Sequence, residues 1–218
     1  MARRFDLIVF DWDGTLMDSA GVIVASIRRA AEDLGLEPPA EAACRHIIGL
    51  GLAEALQHLF PALPEAEHPR LVERYRHHYL GRDAEIPLFA GADALVRALH
   101  ARDYLLGVAT GKSRKGLDRV LGYTGLRPYF HATRCADECF SKPHPQMLEE
   151  LMTELGARPE RTLMVGDTSH DLQMAANAGV AALAVSYGAH GREDLLAHGP
   201  LACVDSVQEL GTWLATCA

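Results

Sequence analysis

The chain has 218 residues, 49% of them apolar, and a formal net charge of −8. That length and composition suit one sizeable core with a smaller insertion and exclude a disordered chain. The negative balance argues against a nucleic-acid backbone or an anionic membrane as partner, and no apolar run approaches a membrane span.

Met1-Ala2-Arg3-Arg4 leads directly into the first predicted strand, an apolar run from Phe5 to Phe10 of the kind that lies covered on both faces in a parallel sheet. The run is cut off by Asp11, so it does not read as a signal segment. Asp11-Trp12-Asp13-Gly14-Thr15 follows. In extended chain, residues two apart point the same way, which aims both carboxylates into one cleft beyond the strand end. Like charges so close call for a cation or a shared proton. A plain acidic turn is the simpler alternative.

The pattern then becomes helical. Ala20 to Leu34 reads as an amphipathic helix with Ser19 or Asp18 as its cap, closed by Gly35. Further helices are predicted at about 40–48, 52–60 and 65–80, divided by Gly49-Leu50-Gly51 and by the prolines of 61–64. With no strand pattern in this block, it reads as a small helical bundle inserted after the first strand. From Ile86 onward strands and helices alternate. Strands are predicted at 105–110, 130–135, 162–165, 180–185 and 202–204, and helices at 91–102, 113–121, 145–155, 171–178 and 206–215. This order implies right-handed crossovers and a parallel sheet with helices on both faces, an α/β fold.

Three later loops carry polar groups. Thr110-Gly111-Lys112 ends the second strand, where a hydroxyl beside a glycine can donate to a phosphoryl oxygen or simply cap the next helix. Ser141-Lys142-Pro143-His144-Pro145 holds one of only three lysines in the chain within a proline-stiffened turn. Gly166-Asp167-Thr168-Ser169-His170-Asp171 places two acids four residues apart, either on one face or as an acidic first turn of a helix. Cys44, Cys135, Cys139, Cys203 and Cys217 are scattered without a paired CxxC pattern and read as free thiols of a reduced, cytoplasmic protein.

Taken in order, Asp11-x-Asp13-Gly14-Thr15, Thr110, Lys142-Pro143 and Gly166-Asp167-x-x-x-Asp171 resemble the motifs of the haloacid dehalogenase-like hydrolase superfamily over nearly the whole chain. The stretches around Asp11 and Lys142 look most like its phosphoglycolate phosphatase-type members. The resemblance implies a Rossmann-like core from residues 1–15 and 83–218 and an α-helical cap from 16–82. It implies Asp11 as nucleophile and Asp13 as general acid and base. Mg²⁺ would be held by Asp11, Asp167 and the backbone carbonyl of Asp13. Thr110, Gly111 and Lys142 would hold the phosphoryl group, and Asp171 would orient Lys142 or a metal-bound water.

Gly111 departs from the Asn that many relatives carry there, and its backbone N–H can stand in. In the cap, Arg45, His46 and the Gly49-Leu50-Gly51 turn are the expected substrate-facing part, with Arg45 able to pair with a substrate carboxylate. The expected partner is a small phosphate ester, with 2-phosphoglycolate the first candidate, acted on by a monomer or homodimer. Dehalogenation is disfavoured by the second acid, Asp13. Phosphonate hydrolysis is disfavoured by a cap without lysine between Leu16 and Arg82. A phosphosugar mutase and a non-catalytic regulatory module on the same fold are the alternatives, and Thr15 leans toward hydrolysis over the mutase.

Overall fold

The computed structural model describes residues 3–217, without the side chain of Cys217, so Met1, Ala2 and the Cys217 thiol lie outside the described residues. Six strands form one parallel sheet: β1 (Leu7–Phe10), β2 (Leu105–Thr110), β3 (Ala132–Cys135), β4 (Thr162–Gly166), β5 (Ala181–Val185) and β6 (Cys203–Val204). Their order is β3-β2-β1-β4-β5-β6. The chain winds one way from β1 and then returns to its other side at β4, so β1 stands at a topological switch point. All four residues of β1 are buried, which is why its sequence shows no polar alternation. Leu7 and Val9 face helices α7 (Gln146–Leu155) and α8 (Ser169–Asn177). Ile8 and Phe10 face α5 (Ala92–Ala101), α6 (Arg114–Thr124) and α10 (Val207–Cys217).

Between β1 and α5 lie α1 (Ala20–Asp33), α2 (Glu41–His46), α3 (Leu52–Leu59) and α4 (His68–Leu80). Helix α1 buries Ile23, Val24, Ile27, Ala30 and Ala31, a stripe at helical spacing. It packs against α4, which contributes Leu71 and Tyr79.

Several boundaries differ from the sequence expectation. The predicted helix 65–80 divides into a 3₁₀ turn at Glu65–Glu67 and α4, because Pro69 fits the first turn of a helix and not its interior. The strand expected from Phe130 begins at Ala132, after a 3₁₀ turn at Arg127–Tyr129. Helix α9 (Arg192–Leu196) has only five residues, too few to show a periodicity. Ser19 does precede α1, but its side chain makes no capping bond. Cys44 and Cys135 are buried, Cys139 and Cys203 half-buried, and all four are free thiols. No helix among the described residues is long and apolar enough to cross a membrane.

Candidate active site

Register alone brings the predicted groups together. Phe10 is level with Val108 of β2 and Val165 of β4, so Asp11 emerges between two neighbours whose chains carry Thr110 and Asp167 just beyond. The Asp11 N–H still donates to the Val165 carbonyl at 2.9 Å, which holds the chain extended past the strand end. Trp12 then turns into the core, where it is fully buried and its indole N–H donates to Met17 Sδ. Asp11 and Asp13 therefore project away from Trp12 toward the cleft, and the charge of Asp13 acts on Asp11. Asp11, Thr110, Lys142, Asp167 and Asp171 are all fully buried.

The Lys142 ammonium, in the loop before α7, lies 2.8 Å from Asp11 Oδ1 and donates to Asp171 Oδ1 at 2.6 Å. The contact with Asp11 is poorly directed, so neither Asp11 oxygen receives a hydrogen bond. Burial would strip Lys142 of its proton, but the charges of Asp11 and Asp171 prevail and raise its pKa. Asp171 is committed on both sides. Its Oδ2 accepts from the Thr168 backbone N–H at 3.1 Å and hydroxyl at 2.7 Å, while the Thr168 hydroxyl accepts from the Asp171 N–H, a capping box that starts α8. Asp171 thus sits in the acidic first turn of α8 and contacts Lys142 at the same time.

Asp167 is held by the Thr15 hydroxyl, which donates to Oδ1 at 2.7 Å, and by the Ala189 N–H, which donates to Oδ2 at 2.8 Å. Space for it comes from glycine. Gly14, at a φ of 81°, and Gly188 each approach the Asp167 carboxylate so closely that a Cβ on either would collide with it. Thr15 is spent on Asp167, so it gives no guidance between hydrolysis and the mutase reaction.

Carboxylate oxygens of Asp11, Asp167 and Asp171 lie within 4.8 Å of one another. Burial, reinforced by neighbouring acids, pushes Asp11 up to about 7 and raises Asp167 well above the carboxylate range. One lysine does not offset three buried acids. A hard divalent cation bound by oxygen ligands would do so, and the undonated oxygens of Asp11 leave it a place to bind.

Lys112 was missed as a partner of the acids. Its ammonium donates to both oxygens of Asp13 (3.0 and 3.1 Å) and to the Tyr79 hydroxyl of α4 at 2.8 Å. Ser19 donates to Asp13 Oδ1 at 2.7 Å, which explains why it leaves the end of α1 uncapped. The available signal was the rarity of lysine, which singled out Lys142 and applies equally to Lys112.

The helical block touches the core at its Gly49-Leu50-Gly51 turn. The Gly51 N–H donates to Ser141 Oγ at 2.9 Å. A Cβ on Gly111 would stand 2.5 Å from the Leu50 carbonyl oxygen and 2.6 Å from that of Gly49. Alongside, His170 and His190 both donate Nε2–H to the His46 carbonyl at 2.8 and 3.1 Å. The tautomer of His190 is fixed because its Nδ1 accepts the Ser169 N–H. Burial lowers the pKa of both rings. Arg45 is not brought to the cleft. Its guanidinium is one-third exposed and pairs with Glu41 one turn back at 3.0 Å, as i,i+4 spacing on α2 dictates.

Four buried acids and two ammonium groups therefore gather at the carboxyl end of a doubly wound sheet, the edge at which enzymes of this architecture bind their ligands. The family model of haloacid dehalogenase-like hydrolases matches residues 8–185, and the chain belongs to that family as a phosphatase. It is 36% identical over 211 residues to the protein named Probable phosphatase IndB of Dickeya dadantii, covering 94% of this chain and 91% of that one. It is 31% identical to a phosphoglycolate phosphatase of Rhodospirillum rubrum, covering 95% and 90%. Among solved structures, a predicted phosphoglycolate phosphatase from Haemophilus somnus superposes with a TM-score of 0.84 at 27% identity, over 96% of this chain and 98% of that one.

Proposed function

We propose that the protein is a Mg²⁺-dependent phosphatase of a small phosphorylated metabolite, with 2-phosphoglycolate the first candidate, working through a phosphoryl-aspartate on Asp11. The observation that carries this reading is Asp11 itself: fully buried, free of hydrogen-bond donors at both oxygens, and faced by the Lys142 ammonium. Its one close partner is an ammonium that can pass to the phosphoryl oxygens, which leaves the carboxylate free to attack.

In the first step an Asp11 oxygen bonds to phosphorus and the ester P–O bond breaks. The departing oxygen takes a proton from Asp13. In the second, water bonds to phosphorus, gives its proton to Asp13, and the phosphoryl-aspartate bond breaks to return Asp11 and release phosphate. Lys142 and the Thr110 hydroxyl hold the phosphoryl oxygens and stabilise charge that builds on them. Asp171, with one oxygen on Lys142 and the other on Thr168, keeps that ammonium in place and is a positioning residue. Asp11 and Asp167, with the Asp13 carbonyl, would hold Mg²⁺, which when bound offsets the charge of the acids and of the phosphate ester. The 16–82 block acts as a cap that excludes water, the Gly49-Leu50-Gly51 turn being its seal on the core.

The choice of 2-phosphoglycolate is supported by the names of two similar proteins from Rhodospirillum rubrum and Haemophilus somnus. The test is phosphate release across a panel of phosphorylated metabolites with Mg²⁺ or with chelator. The expected result is release that needs Mg²⁺ and is greatest for 2-phosphoglycolate. Release undiminished by chelator removes the metal assignment, and a better small ester replaces the substrate.

A further inference from the structure

Tyr79, Lys112 and Asp13 form a chain of contacts from the helical cap to the acid expected at the leaving group. We propose that Lys112, braced by the Tyr79 hydroxyl, is a positioning residue that aims the Asp13 carboxyl at the leaving-group oxygen. This rests on the proposed function, in which Asp13 protonates that oxygen.

The geometry is specific. Lys112 lies two residues past Thr110, so its backbone belongs to the loop expected to hold the phosphoryl group, and its N–H donates to Thr110 Oγ1 at 3.2 Å. Its side chain is only 8% exposed and that of Asp13 11%. A lysine on an open surface would keep its rotamer freedom, whereas this one spends it on two partners inside the protein. The ammonium reaches both Asp13 oxygens, and Ser19 Oγ donates to one of them, so rotation of the carboxyl group is opposed from two directions.

The third contact comes from the cap: the Tyr79 hydroxyl accepts from Lys112 at 2.8 Å, and the ammonium lies 4.8 Å from the centre of the same ring. The acid is thereby held by a residue of the core loop and, through it, by α4. Lys142 serves Asp11 and Asp171, so Lys112 is the ammonium left for Asp13. It touches no reacting atom, and its contribution is direction.

Protonation of the leaving oxygen matters for an alkoxide and little for a nitrophenolate, which departs without help. The comparison is therefore kcat/KM for 2-phosphoglycolate against p-nitrophenyl phosphate, since kcat/KM reports the first step with both. Lys112→Met is expected to lose about 10²-fold on the alkyl ester and at least about ten times less on the aryl ester. Lys112→Arg, which keeps the charge, should recover part of the alkyl loss. Tyr79→Phe, which removes only the hydroxyl, should show the same selective loss at about 3- to 10-fold. Equal losses on both esters in Lys112→Met and Tyr79→Phe would assign a merely structural role and overturn the proposal, as would wild-type alkyl activity in Lys112→Met. Absence of Mg²⁺-dependent release from either ester by the wild-type protein would instead remove the proposed function, and this inference with it.

Discussion

Gly111→Ala puts a number on the contact between the helical block and the sheet core. The φ of Gly111 lies outside the left-handed region, so alanine suits the backbone and the effect is purely steric. Its Cβ would stand 2.5 Å from the Leu50 carbonyl oxygen, and the turn must withdraw by about 0.9 Å to restore 3.4 Å of ordinary contact. All three obstructing atoms are backbone, so no rotamer relieves the clash. Overpacking of this kind costs about 1–3 kcal/mol. The turn is tied to the core by Gly51 to Ser141 and by the two histidines on the His46 carbonyl. Separating the helical block from the core at this turn avoids the clash at the expense of those bonds, so the cost falls on the state in which the two touch. If turnover needs closure, kcat falls about 5- to 150-fold, the factor that 1–3 kcal/mol represents. Hydrogen exchange read by mass spectrometry should rise in peptides covering 46–51 and 168–171 and stay unchanged in β1 and β4. Unchanged exchange and unchanged kcat would refute the reasoning, and so would exchange rising uniformly through the sheet.

Lys142→Met leaves Asp11 and Asp171 without their cation; breaking such a buried pair costs about 3–5 kcal/mol, and turnover should fall at least about 10²-fold. Phosphate release and thermal melts check both, and Mg²⁺ should raise Tm more in this variant than in the wild type. The metal-free protein should lose stability as pH rises from about 4 to 7. Asp11 is pushed up to about 7 in the fold, so the folded state binds the proton more tightly than the unfolded chain across that window. The stabilisation is complete at low pH and lost as pH passes the folded value, an effect of up to about 4 kcal/mol. Melts in chelator should show this fall, with Mg²⁺ raising Tm more at pH 7.5 than at pH 5; a Mg²⁺ effect independent of pH would contradict it. Arg45→Ala should change kcat/KM less than about 2-fold, because the residue spends its charge on Glu41 at the surface; a large rise in KM for 2-phosphoglycolate would return it to the site.

The parallel sheet and the gathering of Asp11, Lys142, Asp167 and Asp171 at its edge were legible in the sequence, whereas the order of its strands was not. Strand ends in a doubly wound sheet share one edge, so polar groups that follow apolar runs must converge there. What stayed illegible depends on tertiary contacts with no local signature. Ser19 looks like any helix cap until Asp13 is seen to take its hydroxyl. Thr15 reads as a turn residue until it is found donating to an acid 152 positions away. Lys112 and Tyr79 meet across the cap and the core, and no spacing rule links 79 to 112. Arg45 shows the opposite case: its partner in the structure is local, Glu41 one helical turn away. Gly111 departs from the pattern of many relatives, and in the structure that departure makes room for the backbone of the turn above it.

The proposed reaction turns on the identity of the attacking atom. The protein is mixed with substrate and Mg²⁺, quenched in acid within a turnover, digested and mapped by mass spectrometry. The account predicts one phosphoryl group on the peptide that carries Asp11, absent from the Asp11→Asn variant, which should also release no phosphate. A phosphoryl group on any other residue, or wild-type turnover by Asp11→Asn, would contradict it.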